Sequence, residues 1–192
     1  MKECSKRIIL GSGSPRRREL LAGLDVEFTV DTGNTFEESV PEGCAPDEVP
    51  VLMAVGKSHG FHRPLEADEL LITADTVVVV DGGVLGKPHS REEAFSMLRE
   101  LAGRPHQVVS AVVFRTLEKE RCVTDLTTVF VSPLTDEEIA YYIDTCKPFD
   151  KAGGYGIQEW LGYAAIGRIE GSFYNVMGIP VHKVWELLQQ FT

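Results

Sequence analysis

The sequence predicts an α/β fold built on a mixed, twisted sheet, and three observations predict it. Short β-branched, apolar runs, Ile8-Ile9-Leu10, Leu70-Leu71-Ile72-Thr73 and Val77-Val78-Val79-Val80, are interspersed with stretches of helical periodicity. Two capping-box patterns, Ser90 with Glu93 and Thr135 with Glu138, mark helix starts. The first strand runs through Gly11-Ser12-Gly13-Ser14 directly into a helix, giving a strand, loop, helix order at the start of the chain.

Taken in order, residues 8–10 read as a strand and 15–24 as a helix, with apolar positions at 20, 21 and 24. Ser14 is a natural N-cap and Pro15 a natural first helical residue. A strand follows near 27–30, then a polar connection with Gly and Pro to about 46. A helix over 47–60 comes next, its start blurred by Pro50. Residues 70–73 and 77–80 read as strands separated by Ala74-Asp75-Thr76, and Asp81-Gly82-Gly83 is hairpin chemistry leading to Val84-Leu85. The Ser90 helix carries Met97, Leu98 and Leu101 inward, and Gly103 supplies its stop. Alternation over 107–114 and 121–131 predicts an antiparallel pair, and the Thr135 box opens a helix through 139–143. A Gly-dense stretch over 148–156 precedes short strands around 163–169 and a terminal helix over 181–188. There is no internal repeat and no long linker, so one domain over 1–192 is expected, in two lobes around a cleft.

Composition excludes several function classes. With 43% hydrophobic and 25% charged residues over 192 positions, the chain can bury a core and is not a disordered segment. No apolar run approaches the roughly 20 residues that cross a bilayer, and Ile8-Ile9-Leu10 is too short for a signal-peptide core, so a cytoplasmic address is expected. Nineteen Lys+Arg against 29 Asp+Glu give a net charge of −10, which repels polymeric nucleic acid and anionic membrane. A small polyanion can still bind where basic residues converge or a divalent metal screens it. Cys4, Cys44, Cys122 and Cys146 form no C-x-x-C pair and read as reduced thiols. His59 and His62 have no neighbouring Cys or His to complete a zinc set and read as surface histidines.

The chemistry concentrates in a few places. Three arginines, Arg16, Arg17 and Arg18, occupy the first turn of a helix, where the macrodipole disfavours cations. Such a breach of local preference points to a phosphate or other oxyanion pocket at a loop and helix start, with pairing to surface acids as the alternative. The loop matches neither the dinucleotide fingerprint nor the P-loop, because Arg16 stands where glycine is needed and no Gly-Lys-Ser/Thr follows. Asp75 interrupts an apolar, β-branched region, and a carboxylate there demands a partner. Beside phosphates it can hold Mg²⁺ or take a proton from water; a turn or ladder-end residue capped by backbone is the alternative. Glu38 could supply a second carboxylate, although alone it reads as surface charge. Lys87 in Gly86-Lys87-Pro88 and Lys151 ahead of Ala-Gly-Gly-Tyr-Gly lie in loops where backbone can approach a ligand, and could touch phosphates; an exposed lysine is more often solvated surface. Gln158 can offer a donor and an acceptor to a base edge. Tyr155 and Trp160 could stack on a base, although such aromatics are more often core.

These residues together resemble the Maf family. The resemblance rests on Ser12-Gly13-Ser14-Pro15-Arg16-Arg17 with Glu19-Leu20-Leu21, Ala74-Asp75-Thr76-Val77-Val78, Gly86-Lys87-Pro88, Asp150-Lys151-Ala152-Gly153 with Tyr155-Gly156-Ile157-Gln158, and Gly171-Ser172 with Gly178-Ile179-Pro180. It implies an elongated, inosine-triphosphatase-like α/β fold with a cleft between two lobes. It also implies nucleoside triphosphate pyrophosphatase activity, cleaving between the α- and β-phosphates with Mg²⁺ or Mn²⁺. By the same resemblance Asp75 is the general base, and Glu38 and Asp75 lie near the metal. Ser14, Arg16, Lys57 and Lys87 serve catalysis or phosphate binding, and Arg16, Thr76 and Gln158 mark the subfamily acting on dTTP and UTP. A 7-methyl-GTP pyrophosphatase is the alternative enzyme, and a nucleotide-binding regulator of septum formation the alternative class. The expected partner is a small-molecule nucleoside triphosphate, with no polymeric nucleic acid and no membrane; a homodimer is left open. One departure stands out: where the family usually reads Glu-Lys-Ala, this chain has Gly56-Lys57-Ser58.

Overall fold

A computed structural model describes residues 5–191. The chain runs β1 (Arg7–Leu10), α1 (Pro15–Ala22), β2 (Phe28–Val30), α2 (Val49–His59), β3 (Glu69–Val80) and β4 (Gly83–Leu85). It continues through α3 (Arg91–Leu101), β5 (Pro105–Arg115), β6 (Glu120–Val131) and α4 (Asp136–Cys146). A 3₁₀ turn (Ala152–Gly154) is followed by α5 (Trp160–Ala165), β7 (Ile166–Glu170), α6 (Phe173–Met177) and α7 (Val181–Leu188). The strands pair in the order β2-β1-β3-β5-β6-β7, with β4 beside β3. β1 is parallel to both β2 and β3, whereas β4 on β3 and β7 on β6 are antiparallel, so the sheet is mixed as expected.

The local signals act as the sequence predicts at several boundaries. Ser14 caps α1 by accepting from the Arg17 amide at 3.5 Å, and Pro15 occupies the first turn. Pro50 sits in the first turn of α2, where its missing N–H costs no helical bond. Asp81 and Gly82 both have positive φ, 47° and 76°, the backbone that a tight β3–β4 hairpin requires. The Thr135 box closes in both directions; at Ser90 the hydroxyl accepts from the Glu93 amide, while the Glu93 carboxylate takes the His89 amide instead. Gly103, at φ 77°, lies just past the end of α3.

Two expectations are corrected, and one element was not foreseen. Residues 70–73 and 77–80 are not separate strands: β3 runs unbroken for 12 residues through Asp75. Ala74-Asp75-Thr76 contains no Gly, Pro or Asn to turn the chain, and the charge of Asp75 is met by a lysine, so nothing stops the strand. Residues 163–165 are helical, not extended: α5 buries Leu161 and Ala165, one helical turn apart, and the strand begins only at Ile166. The short α6 was not expected; its start is held by Ser172, whose hydroxyl accepts from the Asn175 amide at 3.3 Å.

Contacts divide the chain into two compact units, and β3, β5 and β6 contribute residues to both. Among the described residues, the first comprises 5–75, 110–125 and 178–191. Its core includes Ile9, Phe61, Leu65 and Leu71, together with Ala54 of α2 packed with Ala111 and Val113 of β5. The second comprises residues 76–109 and 126–177, with Leu98, Leu101, Ile139, Tyr142 and Leu161 fully enclosed. Among the described residues no helix is long and apolar enough to cross a membrane. Cys44, Cys122 and Cys146 are free thiols, while Cys4 lies outside the described residues.

Candidate functional site

Asp75 and Thr76 are the half-buried pair in a strand whose other ten positions are buried. The Asp75 side chain is 15% exposed, so its charge needs a neighbour, and α2 supplies one: Lys57 Nζ lies 2.6 Å from Asp75 Oδ1. The same ammonium lies 2.9 Å from Glu38 Oε1. Two carboxylates, from the loop after β2 and from β3, thus converge on one cation from the last turn of α2, a helix end where positive charge is favoured. The ladder-end alternative for Asp75 is overturned by this mid-strand, ion-paired position.

Arg17 is fastened to backbone carbonyls. The last β1–β3 ladder bond runs from the Gly11 amide to the Ile72 carbonyl at 2.8 Å. Two residues on, the Ala74 carbonyl faces the same side, but β1 has already ended. Arg17 Nη1 takes that carbonyl at 2.7 Å, and its Nε donates to the Gly178 carbonyl at 3.2 Å. Burial pulls the Arg17 pKa below its usual value, opposed by the charges of Asp75 and Glu38 and assisted by Arg16. Arg16 is half-buried on the same turn, and Arg18 is exposed.

In the second unit, Lys87 follows β4 in a loop whose Gly86 carbonyl accepts from the Gly153 amide at 2.9 Å. Gly153 adopts φ 67°, and a Cβ there would come within 2.9 Å of Val78, so only glycine allows this approach. Lys151 is 7% exposed, far from a solvated surface lysine, and its ammonium lies 2.9 Å from Asp150 and 2.8 Å from Glu159. Glu159 also accepts from the Tyr142 hydroxyl, which in turn accepts from the Gly156 amide at 2.9 Å. Burial, reinforced by that bond to Glu159, pushes the Tyr142 pKa well above its usual value. Tyr155 is core rather than a stacking platform, donating to or accepting from His106 Nε2 at 2.6 Å. Burial drives the His106 pKa down to about 4. Gln158 presents a buried Oε1 with no hydrogen-bond partner among the described residues.

Sequence reasoning missed the supports of these groups: Tyr142 and Glu159 around Lys151, His106 behind Tyr155, and Phe36 against α2. The signal for the last lay in Gly56 and Gly60, one helical turn apart near the end of α2, where glycine is otherwise unfavourable. His59 and His62 pair with Glu120 and Asp31 at 2.8 and 3.0 Å, consistent with ordinary surface histidines. Among the described residues no group of three or more His, Cys, Asp or Glu is arranged to hold a metal.

Residues 7–191 match the family of Maf-like proteins. The chain belongs to the Maf family. Maf relatives named dTTP/UTP pyrophosphatase occur in Porphyromonas gingivalis (50% identical, 96% of this chain and 94% of that one) and Parabacteroides distasonis (48%, 96% of each). Another carries that name in Bacteroides fragilis (44%, 96% of this chain and 95% of that one). A solved structure, that of the Staphylococcus aureus Ham1 protein, is similar with a TM-score of 0.42 and 13% identity, over 66% of this chain and 72% of that one.

Proposed function

We propose that this Maf protein is a nucleoside triphosphate pyrophosphatase acting on dTTP and UTP. Water oxygen bonds to the α-phosphorus, the bond from that phosphorus to the α,β-bridging oxygen breaks, and the products are the nucleoside monophosphate and pyrophosphate. The observation that carries the reading is the convergence of Glu38 and Asp75 on Lys57, with Asp75 set into an otherwise buried strand. Relatives of 44–50% identity with the same pyrophosphatase name support the substrate.

Asp75 takes the proton of the attacking water. Lys57 orients that carboxylate by holding Oδ1, and with Arg16 and Lys87 it offsets negative charge developing on the phosphates. Ser14 contributes at the loop and helix start, a natural place for phosphate oxygens. Arg17 supports Asp75 through the preceding carbonyl, and Lys151 adds positive charge to the Gly-rich loop.

The donor set fits a divalent metal of the kind that travels with a triphosphate. Glu38 and Asp75 already converge on one cation, both through hard oxygen, and Mg²⁺ is commonly held by one or two carboxylates plus substrate phosphates rather than by an all-protein cage. Glu38 and Asp75 would hold it, and Mg²⁺ or Mn²⁺ would supply charge neutralisation on the phosphates.

Gln158, with Thr76 and Arg16, sets base preference. Thymine and uracil present an N3–H donor beside a carbonyl acceptor. A carboxamide such as that of Gln158 can meet both with its acceptor and donor. The test is product analysis with Mg²⁺ over dTTP, UTP, CTP and 7-methyl-GTP. Monophosphate and pyrophosphate from dTTP and UTP are expected, whereas binding without turnover would favour a regulator.

A further inference from the structure

Gly56 lies within α2, and Gly60 caps that helix at φ −81°, so neither backbone conformation requires glycine. What requires it is the loop that leads to Glu38. A Cβ on Gly56 would stand 2.3 Å from Cε2 and Cζ of Phe36. One on Gly60 would stand 2.6 Å from Phe36 Cβ and 2.8 Å from the Phe36 backbone nitrogen. The two glycines, one turn apart, form a groove on α2 in which residues 34–36 lie. Hydrogen bonds fasten the loop there. The Asn34 amide side chain donates to the Lys57 carbonyl at 2.6 Å, the Thr35 amide to the Gly60 carbonyl at 2.8 Å, and the Phe36 amide to Asn34 Oδ1 at 2.8 Å. Two residues later Glu38 meets the ammonium of Lys57, which directly follows Gly56.

We propose that Gly56 and Gly60 are positioning residues: their bare backbone seats Asn34-Thr35-Phe36 on α2 and thereby sets Glu38 against Lys57. The space left by the missing side chain at position 56 is filled by the Phe36 ring. The role of Glu38 in turnover rests on the proposed pyrophosphatase reading; the seat itself does not.

The experiment therefore has two arms on the full chain. Gly60→Ala, Gly56→Ala and Phe36→Ala are compared with the unaltered protein by hydrogen–deuterium exchange over residues 33–40, and then by dTTP turnover. Alanine is the better helix former, so the glycine variants are expected to fold while exchange in that segment accelerates about tenfold or more. Phe36→Ala introduces no clash and is expected to accelerate the same segment. Turnover is expected to fall about tenfold in Gly60→Ala, yet to fall no further when Gly60→Ala is placed on Glu38→Gln, because both changes act through one carboxylate. Unchanged exchange in the glycine variants overturns the seat, whatever the activity. Faster exchange with unaltered turnover, or losses that add on the Glu38→Gln background, overturns the positioning of Glu38. If the unaltered protein hydrolyses no nucleotide, the pyrophosphatase reading fails and the exchange arm alone decides the seat.

Discussion

Lys57 Nζ lies 2.6 Å from Asp75 Oδ1 and is shared with Glu38, so one α2 side chain neutralises carboxylates from two other segments. With side chains 20% and 15% exposed, Lys57 and Asp75 are sheltered enough that losing one strands the other. Lys57→Met is expected to lower stability by about 1–3 kcal/mol and dTTP turnover at least 100-fold. Denaturant melts and pyrophosphate release check the two effects separately. A loss of stability with intact turnover would make Lys57 a structural counter-ion.

Arg17 bridges a carbonyl stranded by the end of β1. Arg17→Met leaves the buried Ala74 carbonyl without that donor, at a cost of about 1–3 kcal/mol. The melting temperature should fall by roughly 5 °C for a chain of this size. Arg17→Lys should recover little, because one ammonium cannot reproduce a fork reaching both Ala74 and Gly178.

His106 makes stability depend on pH. Its folded pKa, about 4, lies below the ordinary value of 6.5, so the unfolded chain binds the proton more readily. The contribution is fully present above pH 6.5 and is lost as pH falls towards 4, about 3 kcal/mol in all. Thermal melts from pH 8 to 4 should show the decline, and His106→Gln should flatten it over that window.

Gln158→Leu removes both the acceptor and the donor offered to a base. The expected result is a 10- to 100-fold loss in kcat/KM for dTTP and UTP, with a smaller loss for CTP. Equal losses for all three nucleotides would assign Gln158 to the loop's structure rather than to base choice.

How much of this was legible in the sequence depended on how local the cause was. Ser14, the Thr135 box and the Asp81-Gly82 turn act within four residues, and the structure shows each where the pattern put it. The continuity of β3 was not legible, because Asp75 is acceptable in a strand once Lys57, 18 positions earlier, reaches it. Lys151 read as ordinary surface for the same reason: its partner Glu159 depends on Tyr142, which only the folding of α4 brings near. The candidate site's charged residues were visible as types out of place, whereas Phe36 and the two glycines beneath it become meaningful only as a fitted pair.

The most direct test of the account is pyrophosphate release from dTTP with Mg²⁺ by the unaltered protein and by Asp75→Asn, with nucleotide products resolved. The account predicts dTMP and pyrophosphate from the unaltered protein and loss of most turnover in Asp75→Asn with the fold retained. Near-normal turnover by Asp75→Asn, or release of single phosphates in place of pyrophosphate, would contradict it.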